Sequence, residues 1–307
     1  MNALTHAIDR LLANSRTDRV TLPDAPEPEE VFMLRDDLIH PLASGNKLRK
    51  LKFHLLQARA QRKTALLTFG GAYSNHLPAT AAAGTHFGFD TIGIVRGEEL
   101  SADSNLLLRH CARLGMKLRF ASRREYARRA EPAFVEALAA EFPQAHLIPE
   151  GGSGPLGEQG VAEIHRLAET HRYTHLCVAA GTGATARGLA ATLPEKTALV
   201  AFSVHPDADA TLAGSARVRL VPAHHELKYG RIDPPLIEYC RAFHALNGVL
   251  LDPLYTSRMA RGLARLIKEK ELPAEGRYLL IHTGGLHGWS GFEAAARTMT
   301  PFLPIPP

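Results

Sequence analysis

Short apolar, β-rich runs alternate with longer stretches of helical periodicity through the middle of the chain. The runs cover residues 65–69, 91–95, 117–121, 147–149, 175–179, 199–204 and 279–282. Strands of that length separated by helices predict a parallel sheet covered on its faces, an α/β fold. Ahead of them, Leu4, Ile8, Leu11 and Leu12 recur at helical spacing and predict a short amphipathic helix packed on the body.

Glycine clusters divide this series. Gly70-Gly71 closes the first strong run, and Glu150-Gly-Gly-Ser-Gly154 follows the fourth, where a hinge would suit. Residues 50–154 read as a small domain inserted into a larger one built from 1–49 and 155–307, with a cleft between the two. Ligands of open parallel sheets bind outside the carboxyl ends of the strands, so chemistry is expected in the loops that follow the runs. The Pro/Glu-rich stretch 24–30 and the proline-rich tail after Thr300 read as surface segments.

Four segments stand out. Ser44-Gly-Asn-Lys-Leu-Arg-Lys50 brings Lys47 to a helix start through a glycine turn. The positive helix end and partial burial both disfavour an ammonium, as an amine nucleophile requires. Lysines near helix starts are also ordinary surface residues, and Lys50, Lys52 and Lys63 are read that way. Thr68-Phe-Gly-Gly-Ala-Tyr-Ser-Asn-His76 runs from a strand end into Ser74, Asn75 and His76. Such a turn offers donors to an anion, for instance a carboxylate, although Ser and Asn serve equally as helix caps. Ala179-Ala-Gly-Thr-Gly-Ala-Thr-Ala-Arg-Gly188 is a glycine-rich loop between a strand and a helix. Its backbone can approach a phosphate closely, and Thr182 and Thr185 add hydroxyls. Gly181, Gly183 and Ala186 also satisfy the dinucleotide pattern, for which Asp207 comes late as the acidic partner. Finally, Leu280-Ile-His-Thr-Gly-Gly285 and Leu251-Asp-Pro-Leu-Tyr-Thr256 reach the carboxyl edge of the sheet, although a glycine pair after a strand is by itself only a turn.

Composition narrows the classes. Apolar residues make up 45% and charged residues 22% of the 307, as in an ordinary globular chain. No uninterrupted apolar stretch of about 18 residues occurs, so no membrane span is expected. Asp9, Arg10, Arg16 and Arg19 interrupt the start of the chain, and no secretory leader is expected. Cys111, Cys177 and Cys240 lie far apart, which argues against disulfides or a thiolate metal site and for a reducing, cytoplasmic setting. A net charge of +5 and the cluster Arg123, Arg124, Arg128 and Arg129 raise nucleic acid as a partner. Without interleaved aromatics, those arginines read as a solvated helix face. His224-His-Glu226 lacks the helical spacing of a two-histidine site, and no metal is expected.

Taken in order from Arg35 to Gly291, the four segments resemble the pyridoxal-phosphate family that contains D-cysteine desulfhydrase and aminocyclopropane-carboxylate deaminase. The resemblance implies a two-lobed, tryptophan-synthase-β-like fold of parallel sheets flanked by helices, with pyridoxal 5'-phosphate in the inter-domain cleft. It implies that Lys47 binds the cofactor through its amine and that Asn75 hydrogen-bonds the phenolic oxygen. Gly181, Thr182, Gly183, Ala184 and Thr185 would hold the phosphate, and Thr283 would sit near the pyridine nitrogen. Ser74, Asn75, His76, Tyr229 and Tyr255 would contact the amino-acid substrate, with Lys47, Ser74 and Tyr255 in catalytic roles. A homodimer is also implied.

Two departures bear on substrate. Thr256 stands where the cyclopropane deaminases have a glutamate near the pyridine nitrogen, which looks like the desulfhydrase branch. A hydroxyl keeps the ring protonated less well than a carboxylate, and the weaker electron sink suits loss of thiolate better than opening of a carbon ring. Tyr73 replaces a glutamine found in both enzymes. The function expected is therefore β-elimination from D-cysteine to pyruvate, ammonia and sulfide. Opening of the aminocyclopropane ring, an NAD-dependent enzyme and a non-catalytic binding protein on the same fold are the alternatives.

Overall fold

The structure is a computed structural model that describes residues 3–25, 30–41, 43, 45–214, 216–228 and 230–292. The proline-rich tail, most of the Pro/Glu-rich stretch, Ser44 and Tyr229 lie outside the described residues.

In chain order the strands are β1 (Thr17–Arg19), β2 (Glu30–Leu34), β3 (Ala65–Gly71), β4 (Asp90–Arg96), β5 (Lys117–Ala121), β6 (Ala145–Ile148), β7 (His175–Ala180), β8 (Ala198–Ser203), β9 (Val218–Val221) and β10 (Arg277–Ile281). The helices are α1 (Ala3–Leu12), α2 (Asn46–Ala60), α3 (His76–Phe87), α4 (Leu106–Arg113), α5 (Arg123–Ala127), α6 (Pro132–Glu141), α7 (Pro155–Ala162), α8 (Ile164–Leu167), α9 (Ala184–Ala191), α10 (Pro206–Leu212), α11 (Pro234–Asn247) and α12 (Thr256–Lys268). The seven apolar runs of the sequence form β3 to β8 and β10.

Two compact units result: Met1–Leu12 with Lys47–Gly157, and Ala13–Asn46 with Glu158–Pro307. The smaller unit holds a four-stranded parallel sheet in the order β5-β4-β3-β6. β3 is buried almost throughout because helices cover both faces, as is usual for a parallel strand. Leu67, Phe69, Ile92 and Ile94 pack with Tyr126, Phe134 and Leu138 on one side. On the other, Leu77 and Ala81 of α3 meet Val95, Leu108 and Met116. The amphipathic helix α1 belongs to this unit; Ile8 and Leu12 are buried, and Asp9 pairs with Lys52 at 2.7 Å.

The larger unit holds a six-stranded sheet, β1-β2-β10-β7-β8-β9, parallel except for the β1–β2 pair. Tyr278 to Ile281 of β10 are fully buried between two apolar layers. Met259, Leu263 and Ile267 of α12 build one layer, and Ala186 and Leu189 of α9 contribute to the other. The sequence pattern does not reveal β1, β2 and β9, for physical reasons. β1 is Thr-Asp-Arg at a sheet edge, with no apolar signal. β9 is a four-residue edge strand interrupted by Arg219, and β2 emerges directly from the Pro/Glu-rich stretch.

The three cysteines are buried free thiols. Burial pushes the Cys111 thiol up to about 12 and raises Cys177 and Cys240 as well. Among the described residues no helix is long and apolar enough to cross a membrane. Arg123 pairs with Glu99 at 2.6 Å and Arg128 with Glu131 at 3.0 Å, so much of the arginine cluster is a charge-balanced surface.

Candidate cofactor and substrate site

In the larger unit, the loop after β7 enters α9 through Gly183, whose φ of +78 suits glycine. The first N–H groups of α9 have no acceptor inside the helix and point where an anion can be met. A Cβ on Gly181 would lie 3.1 Å from the Tyr255 ring, so the bare glycine lets that ring rest against the loop. Thr182 is exposed, whereas Ala184 and Thr185 are buried.

The Thr185 hydroxyl accepts a hydrogen bond from Asn46 Nδ2 at 2.8 Å, across a sequence separation of 139. Gly45, at φ +66, passes so close to β10's end that a Cβ would fall 1.8 Å from the Thr283 carbonyl oxygen. Asn46 N–H donates to the same oxygen at 3.3 Å. The Gly45-Asn46 turn is thus held by Thr283 on one side and by the glycine-rich loop on the other, and the residue after it is Lys47. Asn46 has a positioning role that the sequence does not disclose, although the Gly-Asn-Lys motif itself draws attention to the place.

His282 precedes Thr283 and is fully buried. Gly284 N–H donates to its Nδ1 at 3.2 Å, so Nε2 carries the proton donated to the Leu250 carbonyl at 2.6 Å. The turn bearing Tyr255 is organised by buried Asp252. Its carboxylate accepts from the N–H groups of Leu254, Tyr255 and Thr256 at 3.0, 2.8 and 2.7 Å and from the Thr256 hydroxyl at 2.6 Å. Thr256 Oγ1 in turn accepts from Asp252 N–H at 2.8 Å. Thr256 is therefore a fully buried brace of this turn, with its hydroxyl proton already committed. Position 256 carries no carboxylate, and its hydroxyl is turned toward Asp252.

In the smaller unit, Lys47 sits in the first turn of α2, partly buried. Burial lowers its pKa to about 8, and the Glu150 carboxylate opposes that fall. Glu150 is fixed by Tyr126 Oη at 2.6 Å and Arg129 Nε at 2.6 Å. One arginine of the basic cluster thus serves the lysine's electrostatics, which no spacing in the sequence indicates.

The β3–α3 turn carries the other candidates. Ser74 Oγ accepts from the His76 N–H at 3.2 Å. Asn75 occupies the N-cap position of α3, yet its side chain makes no cap bond, and its Oδ1 is buried without a partner. Capping is therefore not what places an asparagine here. Buried His76 has Nε2 2.9 Å from Thr68 Oγ1, and that hydroxyl donates to the Ile148 carbonyl at 2.9 Å. Nε2 must then carry the proton, which leaves the Nδ1 lone pair buried without a partner. Burial, then the charges of Lys47, Lys50 and His54, hold the His76 pKa well below its usual value, so the ring is neutral. Unpartnered buried polar atoms on one turn are costly unless a ligand meets them. Tyr73 beside them is 60% exposed.

A glycine cradle at a helix start takes a phosphate, and an amine with a lowered pKa is suited to an aldehyde. Pyridoxal phosphate presents both groups: the cradle of the larger unit suits its phosphate, and Lys47 of the smaller unit suits its aldehyde. The family model described as pyridoxal-phosphate dependent enzyme matches residues 11–284, and the chain belongs to that family. This replaces the dinucleotide reading of Gly181, Gly183 and Ala186.

Among its relatives is the bifunctional D-cysteine desulfhydrase/1-aminocyclopropane-1-carboxylate deaminase, mitochondrial, of Arabidopsis thaliana. It is 32% identical over 88% of this chain and 76% of its own length. The D-cysteine desulfhydrase of Salmonella choleraesuis is 28% identical over 88% of this chain and 95% of its own. A crystal structure described as an ACC deaminase homologue superposes with a TM-score of 0.76 at 25% identity, covering 97% of this chain and 100% of that one.

Proposed function

We propose that the protein eliminates the β-substituent of a small amino acid, converting D-cysteine and water to pyruvate, ammonia and sulfide. The observation that carries this reading is Lys47, a partly buried amine with its pKa lowered to about 8, on the turn pinned to the glycine-rich loop. Bound pyridoxal phosphate supplies an electron sink for the charge left when a Cα proton departs. Lys47 would hold the cofactor through its amine, and the same amine, when free and neutral, would take the Cα proton as a base. Gly181, Thr182, Gly183, Ala184 and Thr185 bind the phosphate at the start of α9. The Asn75 amide N–H meets the phenolic oxygen, Ser74 donates its hydroxyl proton to the substrate carboxylate, and the neutral His76 ring offers its bare Nδ1 as an acceptor to a donor group of the substrate. Tyr255 lines the substrate side.

With the Thr256 hydroxyl committed to Asp252, Thr283 is the hydroxyl assigned to the pyridine nitrogen. No carboxylate at position 256 holds the ring protonated, which supports a substrate with a good leaving group. Opening of the aminocyclopropane ring is the second reading, favoured by the names of several relatives. Three buried free thiols support a reducing compartment, the cytoplasm, and the family resemblance supports a homodimer.

Purified enzyme is assayed with D-cysteine, L-cysteine and aminocyclopropane carboxylate, following sulfide, oxo acid and ammonia. D-cysteine turnover with sulfide release is expected, and Lys47→Ala abolishes both turnover and the visible cofactor absorbance. Full activity in Lys47→Ala would refute the assignment, and turnover of the cyclopropane alone would select the second reading.

A further inference from the structure

β8 and β9 are adjacent and parallel, so the segments that follow them emerge at the same edge of the larger sheet. After β8 the chain turns into α10, which carries Asp209; after β9 it makes a 3-10 turn, Ala223–His225. Asp209, His224 and His225 meet there, each offering a ligand atom within 4.8 Å of the others. His224 Nε2 lies 2.5 Å from Asp209 Oδ2, and the His225 ring stands edge-on to His224 with centroids 4.4 Å apart. Spacing along the chain hides the group, because Asp209 lies 15 positions before His224. Glu226, the acidic residue next to the histidines, is instead paired with Arg265 at 3.2 Å.

We propose that Asp209, His224 and His225 bind one divalent transition-metal ion of the zinc class. A simple His224–Asp209 ion pair would account for one carboxylate oxygen and one ring. It leaves Asp209 Oδ1 buried without a hydrogen-bond partner. Against the upward pull of burial, the neighbouring Ser203 hydroxyl is close enough to help hold the Asp209 pKa down, but its proton is directed to the His205 carbonyl at 3.1 Å. The ion pair also leaves an exposed histidine held against it with no evident task.

Two imidazoles and a carboxylate are borderline donors that favour zinc, cobalt, nickel or copper over magnesium or calcium. Metal–ligand bonds of roughly 2.0–2.2 Å in tetrahedral array put donor atoms about 3.3 Å apart. The His224–Asp209 pair therefore opens by under about 1 Å, and His225 closes by side-chain rotation. Three protein ligands leave a fourth position for water or a small anion. The ion would tie α10 to the turn after β9. Thr211 of that helix packs under Gly183, where a Cβ would come within 3.1 Å of it, so the site would brace one side of the phosphate loop.

The test uses the chelator-treated, cofactor-loaded full chain, titrated with zinc chloride and separately with magnesium chloride. Bound metal is counted by mass spectrometry after dialysis, and affinity is read by calorimetry. His225→Ala leaves the His224–Asp209 pair in place and alters only an exposed side chain, so its cofactor absorbance and metal-free melting match wild type. The wild type is expected to retain one zinc ion more per chain than His225→Ala, with at least tenfold weaker zinc binding in His225→Ala and Asp209→Asn and no magnesium retained. Equal zinc uptake by wild type and His225→Ala, or no retained zinc in the wild type, would overturn the proposal.

Discussion

Gly45→Ala probes the turn that delivers Lys47. An alanine forced to φ +66 costs about 1 kcal/mol from backbone sterics alone. The added Cβ would also lie 1.8 Å from the Thr283 carbonyl oxygen and 2.5 Å from the Gly284 nitrogen, both main-chain atoms that cannot swing aside. Restoring ordinary contact takes a shift of about 1.5 Å, which breaks the Asn46 N–H bond to Thr283 and loads the Asn46–Thr185 bond. Overpacking strain of about 1–3 kcal/mol and a lost buried hydrogen bond of similar size bring the total to roughly 3–7 kcal/mol.

Gly248→Ala is the control. Gly248 caps α11 at φ +65, and nothing lies within 4 Å of the place an added methyl would take, so it carries the backbone cost without the clash. At about 1.5–2 °C per kcal/mol for a chain of this length, Gly248→Ala should lower Tm by about 2 °C and Gly45→Ala by roughly 5–14 °C in scanning calorimetry. Gly45→Ala should also lose cofactor absorbance on dilution. Equal Tm shifts for the two variants, or wild-type cofactor retention by Gly45→Ala, would refute the reasoning.

Glu150→Gln removes the carboxylate that holds the Lys47 amine up, so its pKa falls further below about 8. The rate at which apoenzyme recaptures pyridoxal phosphate should keep its high-pH plateau to lower pH, and an unmoved or raised midpoint would count against the electrostatic link. The buried His54–His146 pair, 3.1 Å apart, gives a pH test in the smaller unit. Burial lowers the His54 pKa to about 4, so the unfolded chain binds its proton first as pH falls. Stability from this group is complete above pH 6.5 and is lost toward pH 4, by up to about 3 kcal/mol. Tm should fall over that window less steeply in His54→Gln, and identical slopes would dismiss the linkage.

Parallel strands covered on both faces read as unbroken apolar runs, and for that reason β3, β4, β7, β8 and β10 are legible from composition alone. The glycine-rich loop and the Gly-Asn-Lys turn are legible because only glycine allows their backbone geometry. Long-range pairing leaves no such trace. Nothing near Asn46 reveals that it bonds Thr185, and nothing near His224 reveals Asp209. Thr256 shows a third limit: its identity is readable, but whether its hydroxyl turns inward depends on Asp252 and the turn between them. The periodicity of α1 predicts an apolar face, yet spacing cannot say which of two bodies that face will join.

Among the described residues β2 pairs with β1 and β10, so a strand near the start of the chain waits for one near its end. At synthesis rates of roughly 5–20 residues per second that wait lasts about 10 to 50 seconds, during which the apolar Val31-Phe-Met-Leu34 has no parallel neighbour. All four strands of the smaller sheet emerge well before β10. The nascent chain can therefore complete the lysine-bearing unit first, while the unit with the glycine-rich loop closes last around a segment made at the outset. Chaperone dependence, and the damage done by late truncations, should fall on the larger unit.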